Sequence, residues 1–180
     1  MGHSHDHDDN RKCTCPRQGF NRQETMVLTD ITSSRLSYLD RTGIVVPQKY
    51  GSHKKPHLIY SWEQVLQLRA ITHLKQKISL DLTRKIVGYF NEIGISQNWG
   101  DLQLVIAGED IFAVEPDWSD MPQIMLAAAS ACQDEFTVVV FPKIDCIVSD
   151  VWRVAIDSNL IDTETFVERA KKDAPVLLNC

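Results

Sequence analysis

The stretch that decides the fold runs from Thr32 to Trp62, TSSRLSYLDRTGIVVPQKYGSHKKPHLIYSW. Thr32 carries an N-cap side chain, Leu36 and Leu39 give one apolar face, and Gly43 stands where a helix of about nine residues needs a left-handed stop. A short capped helix is therefore expected. Ile44, Val45 and Val46 then read as a strand ended by Pro47, and Leu58, Ile59 and Tyr60 read as its partner across a long loop. That loop carries Lys49, Lys54 and Lys55 beside Tyr50, His53 and His57. Mobile ammonium groups displace counterions from a phosphate backbone and ring groups pack on sugar, so the stretch is expected to be a DNA-reading helix followed by a wing.

The polar side of the helix fits that expectation. Ser33, Ser34, Arg35, Ser37, Tyr38 and Arg41 are short polar or cationic groups, and hydroxyls and guanidinium bond phosphates and base edges without crowding a groove. A merely solvated helix face has a similar composition. The basic residues that follow at wing distance favour DNA contact over it.

Ile31-Thr32, the run Leu36 to Val45, Pro47, and Tyr60-Ser61 with the helix after them resemble the opening of the MerR family of transcription regulators, over about residues 24–94. The resemblance implies a winged helix-turn-helix domain with double-stranded DNA as partner. The family usually has Arg at the positions of Ser37 and Leu58, and Arg35 is placed to compensate for the first. Family members commonly continue into one long helix that pairs with its twin in a coiled coil. No heptad run follows Gly94, so a homodimer is expected to pair through the C-terminal segment.

Charge is partitioned along the chain. The formal net charge is −5 over 180 residues, with an apolar fraction of 43% that is ordinary for a chain able to bury a core. Residues 11–91 carry 14 Lys and Arg against 5 Asp and Glu, whereas residues 92–180 carry 5 against 16. The basic part coincides with the helix and wing, as an electrostatic footprint requires, and the acidic part is expected to face away from DNA. No run approaches the ~18 apolar residues of a membrane span, and the N-terminus lacks an apolar leader. A cytoplasmic protein without membrane attachment is expected. The five cysteines form an odd set without framework spacing, which agrees with a reducing compartment.

Taken in order, residues 1–20 are expected as a tail and 21–95 as the MerR-like domain. Residues 100–180 are expected as a small acidic α+β domain for dimerisation, effector or protein partner, so the fold class is α+β. Asn21 to Thr29 is the first helix candidate. Ser61 with Gln64 matches a capping box for a helix from Trp62 to about Gln76. Ser79 caps the next, whose stripe of Leu82, Ile86, Phe90 and Ile93 ends at Gly94 before a link at 95–101. Leu102–Ala107 and Ile111–Val114 read as a hairpin, and Pro122 opens a helix through Ala131. Phe136–Phe141 reads as a strand buried on both faces, and Ile144–Ala155 and Thr163–Lys172 as two further helices.

Other chemistry is sparse. His3, His5 and His7 with Cys13 and Cys15 offer imidazoles and thiolates to Zn, Cu or Ni, but a solvated tail is the default reading, since no pair of CxxC motifs is present. Core packing is the default for Cys132 and Cys146, and core or dimer contact for Trp118 and Trp152. The acidic loop from Glu109 to Asp120 fits no metal-loop spacing. Nothing resembles a nucleophile elbow, a phosphate loop or a dinucleotide turn, so no enzyme is expected. The competing expectation is a protein-interaction or metal-handling protein, antitoxin-like, using the winged helix as a docking surface.

Overall fold

The computed structural model describes residues 19–52, 55–74, 78–93, 103–115, 117–131, 138–159 and 162–170. The proposed tail ligands His3, His5, His7, Cys13 and Cys15, the loop residues His53 and Lys54, the link at 95–101 and Cys132 lie outside them. The described fold is α+β, as expected, with two small antiparallel sheets among its helices.

The helix ends follow from local chemistry. Asn21 opens α1 (Arg22–Thr29) with a reciprocal box: its side chain accepts from the N–H groups of Gln23 and Glu24, and the Glu24 carboxylate accepts from the Asn21 N–H at 2.7 Å. Thr32 caps α2 (Ser33–Arg41) by accepting from the Arg35 N–H. At the other end Gly43 takes φ +70, the Ile44 N–H donates to the Leu39 carbonyl at 3.0 Å and the Gly43 N–H to the Asp40 carbonyl at 3.1 Å. This is a Schellman stop, and it brings Ile44 against the same core as Leu39.

That stop corrects the first expected strand. The Val45 N–H also donates back to the Leu39 carbonyl, so Ile44 and Val45 spend their backbone on closing the helix and their side chains on the core. Pairing begins only after Pro47, in β2 (Gln48–Tyr50), which joins β3 (His57–Tyr60) with Lys49 opposite Leu58. On the other side of β3 lies β1 (Phe20–Asn21), with Phe20 opposite Tyr60. Phe20 is 0% exposed, so the expected tail yields its last residue to the core.

The centre of the molecule is α3 (Trp62–His73), opened by the Ser61–Gln64 box. It stops three residues before the expected Gln76, with Leu74 already outside helical backbone. Seven of its twelve residues are buried, because α1, α4 (Leu80–Ile93) and α6 (Ile144–Ser158) all pack on it. Its buried Gln67 is satisfied by the Asn91 side chain at 2.8 Å. Ser79 caps α4 as expected.

In the second half β4 (Gln103–Ala107) pairs with β5 (Asp110–Val114) through a two-residue turn in which Gly108 supplies φ +65. Then come α5 (Met121–Ala131), β6 (Val138–Val140), α6 and α7 (Thr163–Arg169). The strand buried throughout is β4, flanked by β5 and β6, whereas of the Phe136–Phe141 run expected to be so, the described strand Val138–Val140 is only partly buried. An edge strand has one uncovered side, and Val140 is 52% exposed there. Cys146 is likewise exposed on α6 rather than packed in the core, and Trp118 lies at the surface.

The two expected domains share one core. Phe20, Trp62 and Val65 belong to the same buried cluster as Ile147, Val151 and Phe166. Among the described residues, Val105, Val114 and Ile124 form a small separate cluster under the second sheet. Polar contacts clasp the halves as well. Asp150 on α6 accepts from Arg69 of α3 through Nε at 3.0 Å and Nη2, and from Arg153, and it meets His73 Nε2 at 3.0 Å. Arg169 on α7 donates to Glu24 of α1 at 2.8 Å.

Burial pushes the Asp150 carboxyl up, but the hydrogen bonds and positive charges of Arg69 and Arg153 outweigh it and hold the group at about 2, below the ordinary 3.8. A depressed carboxylate contributes stability that is complete above pH 3.8 and lost as pH falls toward 2. Asp150→Asn is therefore expected to cost about 1–2 kcal/mol near neutral pH, after allowance for the water around Arg153. Melting curves at pH 7, 4 and 2 test this: the gap between parent and variant should close between pH 4 and 2. A gap independent of pH would remove the clasp from the account.

Candidate nucleic-acid interface

The residues singled out on α2 divide cleanly by face. Leu36 and Leu39 enter the core, whereas Ser33, Ser34 and Arg41 are exposed and Arg35, Ser37 and Tyr38 are half-buried. The Arg35 guanidinium lies 5.8 Å from the centre of the Tyr38 ring, which stiffens both side chains. Arg41 has no ion pair with any described residue, so its charge is free to meet an anion.

The hairpin is joined to this helix by an ion pair. Lys49 of β2 stands 3.2 Å from both carboxylate oxygens of Asp40 on α2. Lys49 is thus a brace, holding the strand against the helix. Tyr50 donates to Gln48 on its own strand, and His57 is exposed opposite Tyr50. Lys55 is exposed in the connecting loop, where its backbone N–H donates to the Ser52 carbonyl at 3.2 Å. Gly51 begins that loop at φ +88, a conformation that favours glycine. Lys49, Tyr50, Lys55 and His57 therefore sit on one hairpin braced to α2. Beneath them burial pushes the Tyr60 phenol up, with Arg22 pulling it down and Asp40 reinforcing the rise, so Tyr60 stays neutral.

Sequence reasoning missed Arg22. Its Nη2 donates to the Ser33 carbonyl at 2.6 Å, the Ser33 hydroxyl at 2.8 Å and the Ser37 hydroxyl at 2.7 Å, pinning the start of α1 to α2. One signal was available: a cation in the first turn of a helix opposes the helix dipole, so its presence asks for another reason. Asp40 was missed too, because its partner Lys49 is set by tertiary placement.

An open cleft of about 590 Å³ runs beside this region, lined by Arg22, Glu24, His57, Leu58 and Arg169 among others. Among the described residues no three His, Cys, Asp or Glu side chains come together to hold a metal, and no helix is long and apolar enough to cross a membrane. Compared with known proteins, the chain matches no family model and no curated protein.

Proposed function

We propose that this protein is a DNA-binding regulator of transcription of MerR-like type, using α1 and α2 as a helix-turn-helix and β2–β3 as its wing. The observation that carries the reading is the braced pair of α2 and hairpin: Arg41 and Lys55, neither ion-paired with a described residue, stand with Arg35 and the serines on these two elements of a segment with excess positive charge. The acidic remainder of the chain keeps its charge apart from this face in sequence and serves partner or effector contacts.

The reading includes a homodimer. Across Met121–Ala131, α5 carries no charged residue, and Leu126 is 69% exposed on it beside exposed Met125. Two acidic halves repel except where charge is absent, which makes α5 the face for pairing. Pairing doubles the DNA contact, since one small recognition module buries little surface alone.

Titrating a duplex pool with protein over a salt series tests the reading. The parent is expected to bind with a steep negative slope of log affinity against log salt, as two chains per duplex. Replacing Lys54 and Lys55 by alanine should make that slope shallower by about 2–4, since each of the two chains loses one or two contacts at roughly 0.9 per phosphate released. Failure of the parent to bind any duplex at low salt would favour a protein-docking role for the same surface.

A further inference from the structure

We infer that Arg22, Ser33 and Ser37 form a seat for one phosphodiester group of a DNA backbone at the junction of α1 and α2, an inference that rests on the DNA-binding reading above. The three side chains come from two helices and converge on one guanidinium nitrogen, Nη2, at 2.7–2.8 Å from the two hydroxyls. Nη2 has two protons and serves three acceptors, counting the Ser33 carbonyl, so the guanidinium is held by one corner. Its Nη1 and Nε protons meet no described acceptor.

The hydroxyls complete the argument. Each serine oxygen accepts from Arg22, so each retains one proton to donate, and neither donates it to a described protein group. An oxygen that accepts from a cation becomes a better donor. The cluster therefore offers guanidinium N–H groups and two O–H groups, and little to accept with. That donor set matches a phosphate oxygen pair and discriminates against cations.

The nearby carboxylates leave the Arg22 charge unspent. Glu24 gives Oε2 to the Asn21 N–H and Oε1 to Arg169, and Asp40 is taken by Lys49. Arg22 lines the cleft that also contains His57 of β3, so a backbone crossing the α1–α2 junction continues toward the wing. The rival role is a purely structural staple, in which Arg22 only ties α1 to the Ser33 carbonyl. The two roles predict different readouts.

The test compares parent, Arg22→Gln, Arg22→Lys and Ser37→Ala in duplex binding over a salt series, with melting temperatures for each. The seat predicts that Arg22→Gln removes one contact per chain, which makes the salt slope of the two-chain complex shallower by about 1.8 and lowers affinity about sixtyfold at 0.1 M salt. Arg22→Lys should keep the slope, and Ser37→Ala should weaken affinity with the slope unchanged. A duplex with one neutral methylphosphonate at the contacted position should weaken the parent and leave Arg22→Gln unaffected. If Arg22→Gln lowers the melting temperature while slope and affinity match the parent, Arg22 is a staple and the seat is wrong. If the parent binds no duplex, the DNA-binding reading fails and takes the seat with it.

Discussion

Replacing Phe166 by alanine lowers the stability of the whole chain by about 3–5 kcal/mol, the range for truncating a fully buried aromatic. Phe166 is 1% exposed and packs against three other rings: Phe20 at 5.5 Å, Trp62 at 5.7 Å edge-on, and Trp152 at 4.5 Å edge-on. Each such pair adds about 0.5–1.5 kcal/mol beyond burial. The rings come from β1, α3, α6 and α7, elements drawn from both ends of the described chain. Since α7 has seven residues, too few for a helix to persist alone in water, its order depends on this anchor and on Ala170. The loss is therefore felt at β1 and α3 as well as at α7. Denaturant unfolding followed by far-UV circular dichroism and by tryptophan fluorescence checks it. Both probes should report one transition, displaced together in the variant. A variant in which the first half unfolds at the parent's midpoint would separate the two halves energetically.

What could be read in the sequence was what the chain decides within a few residues. Thr32, Gly43, Ser61 with Gln64, and Ser79 act on backbone groups three or four positions away, and each appears at its expected helix end. The hairpin at Gly108 has the same local origin. Errors began where one composition serves two purposes. Ile44 and Val45 have strand propensity, but the same bulk is needed to seal the end of α2, and the Schellman bonds claimed their backbone. Phe136–Phe141 reads as a doubly buried strand, yet strand position within a sheet is set by topology, which left Val138–Val140 at an edge. Phe20 joined the tail because its neighbours upstream are polar, and only pairing with Tyr60 reveals its place.

The candidate interface shows the same limit. The polar face of α2 was legible because helical periodicity separates it from Leu36 and Leu39. Arg22 and the Lys49–Asp40 brace were not, because each depends on a side chain meeting a partner nine or more residues away. The clasp of Asp150 with Arg69 spans 81 positions and was equally hidden.

Gly19→Ala carries the second large effect, about 3–4 kcal/mol, and Gly51→Ala is the control that explains it. Both glycines have positive φ, +113 and +88, so alanine strains either backbone by about 1–3 kcal/mol. Their surroundings differ. At Gly51 the nearest atom to a new Cβ is His57 Cδ2 at 3.5 Å, ordinary contact with an exposed ring. At Gly19 the Cβ would lie 2.6 Å from Ile59 Cγ2 and 2.7 Å from the Tyr60 carbonyl oxygen. That oxygen belongs to the central strand of its sheet, where Tyr60 is already registered against Phe20, so it cannot retreat without parting β1 from β3. Separation would pull Phe20 from the ring cluster and shift Arg22 two residues on, coupling the glycine to both the core and the interface. Thermal melts of the two variants against the parent separate the contributions, with the excess at Gly19 measuring the collision. Equal losses would mean that β1 yields to a methyl group, and that its hold on β3 is weaker than the close approach of Gly19 to Tyr60 implies.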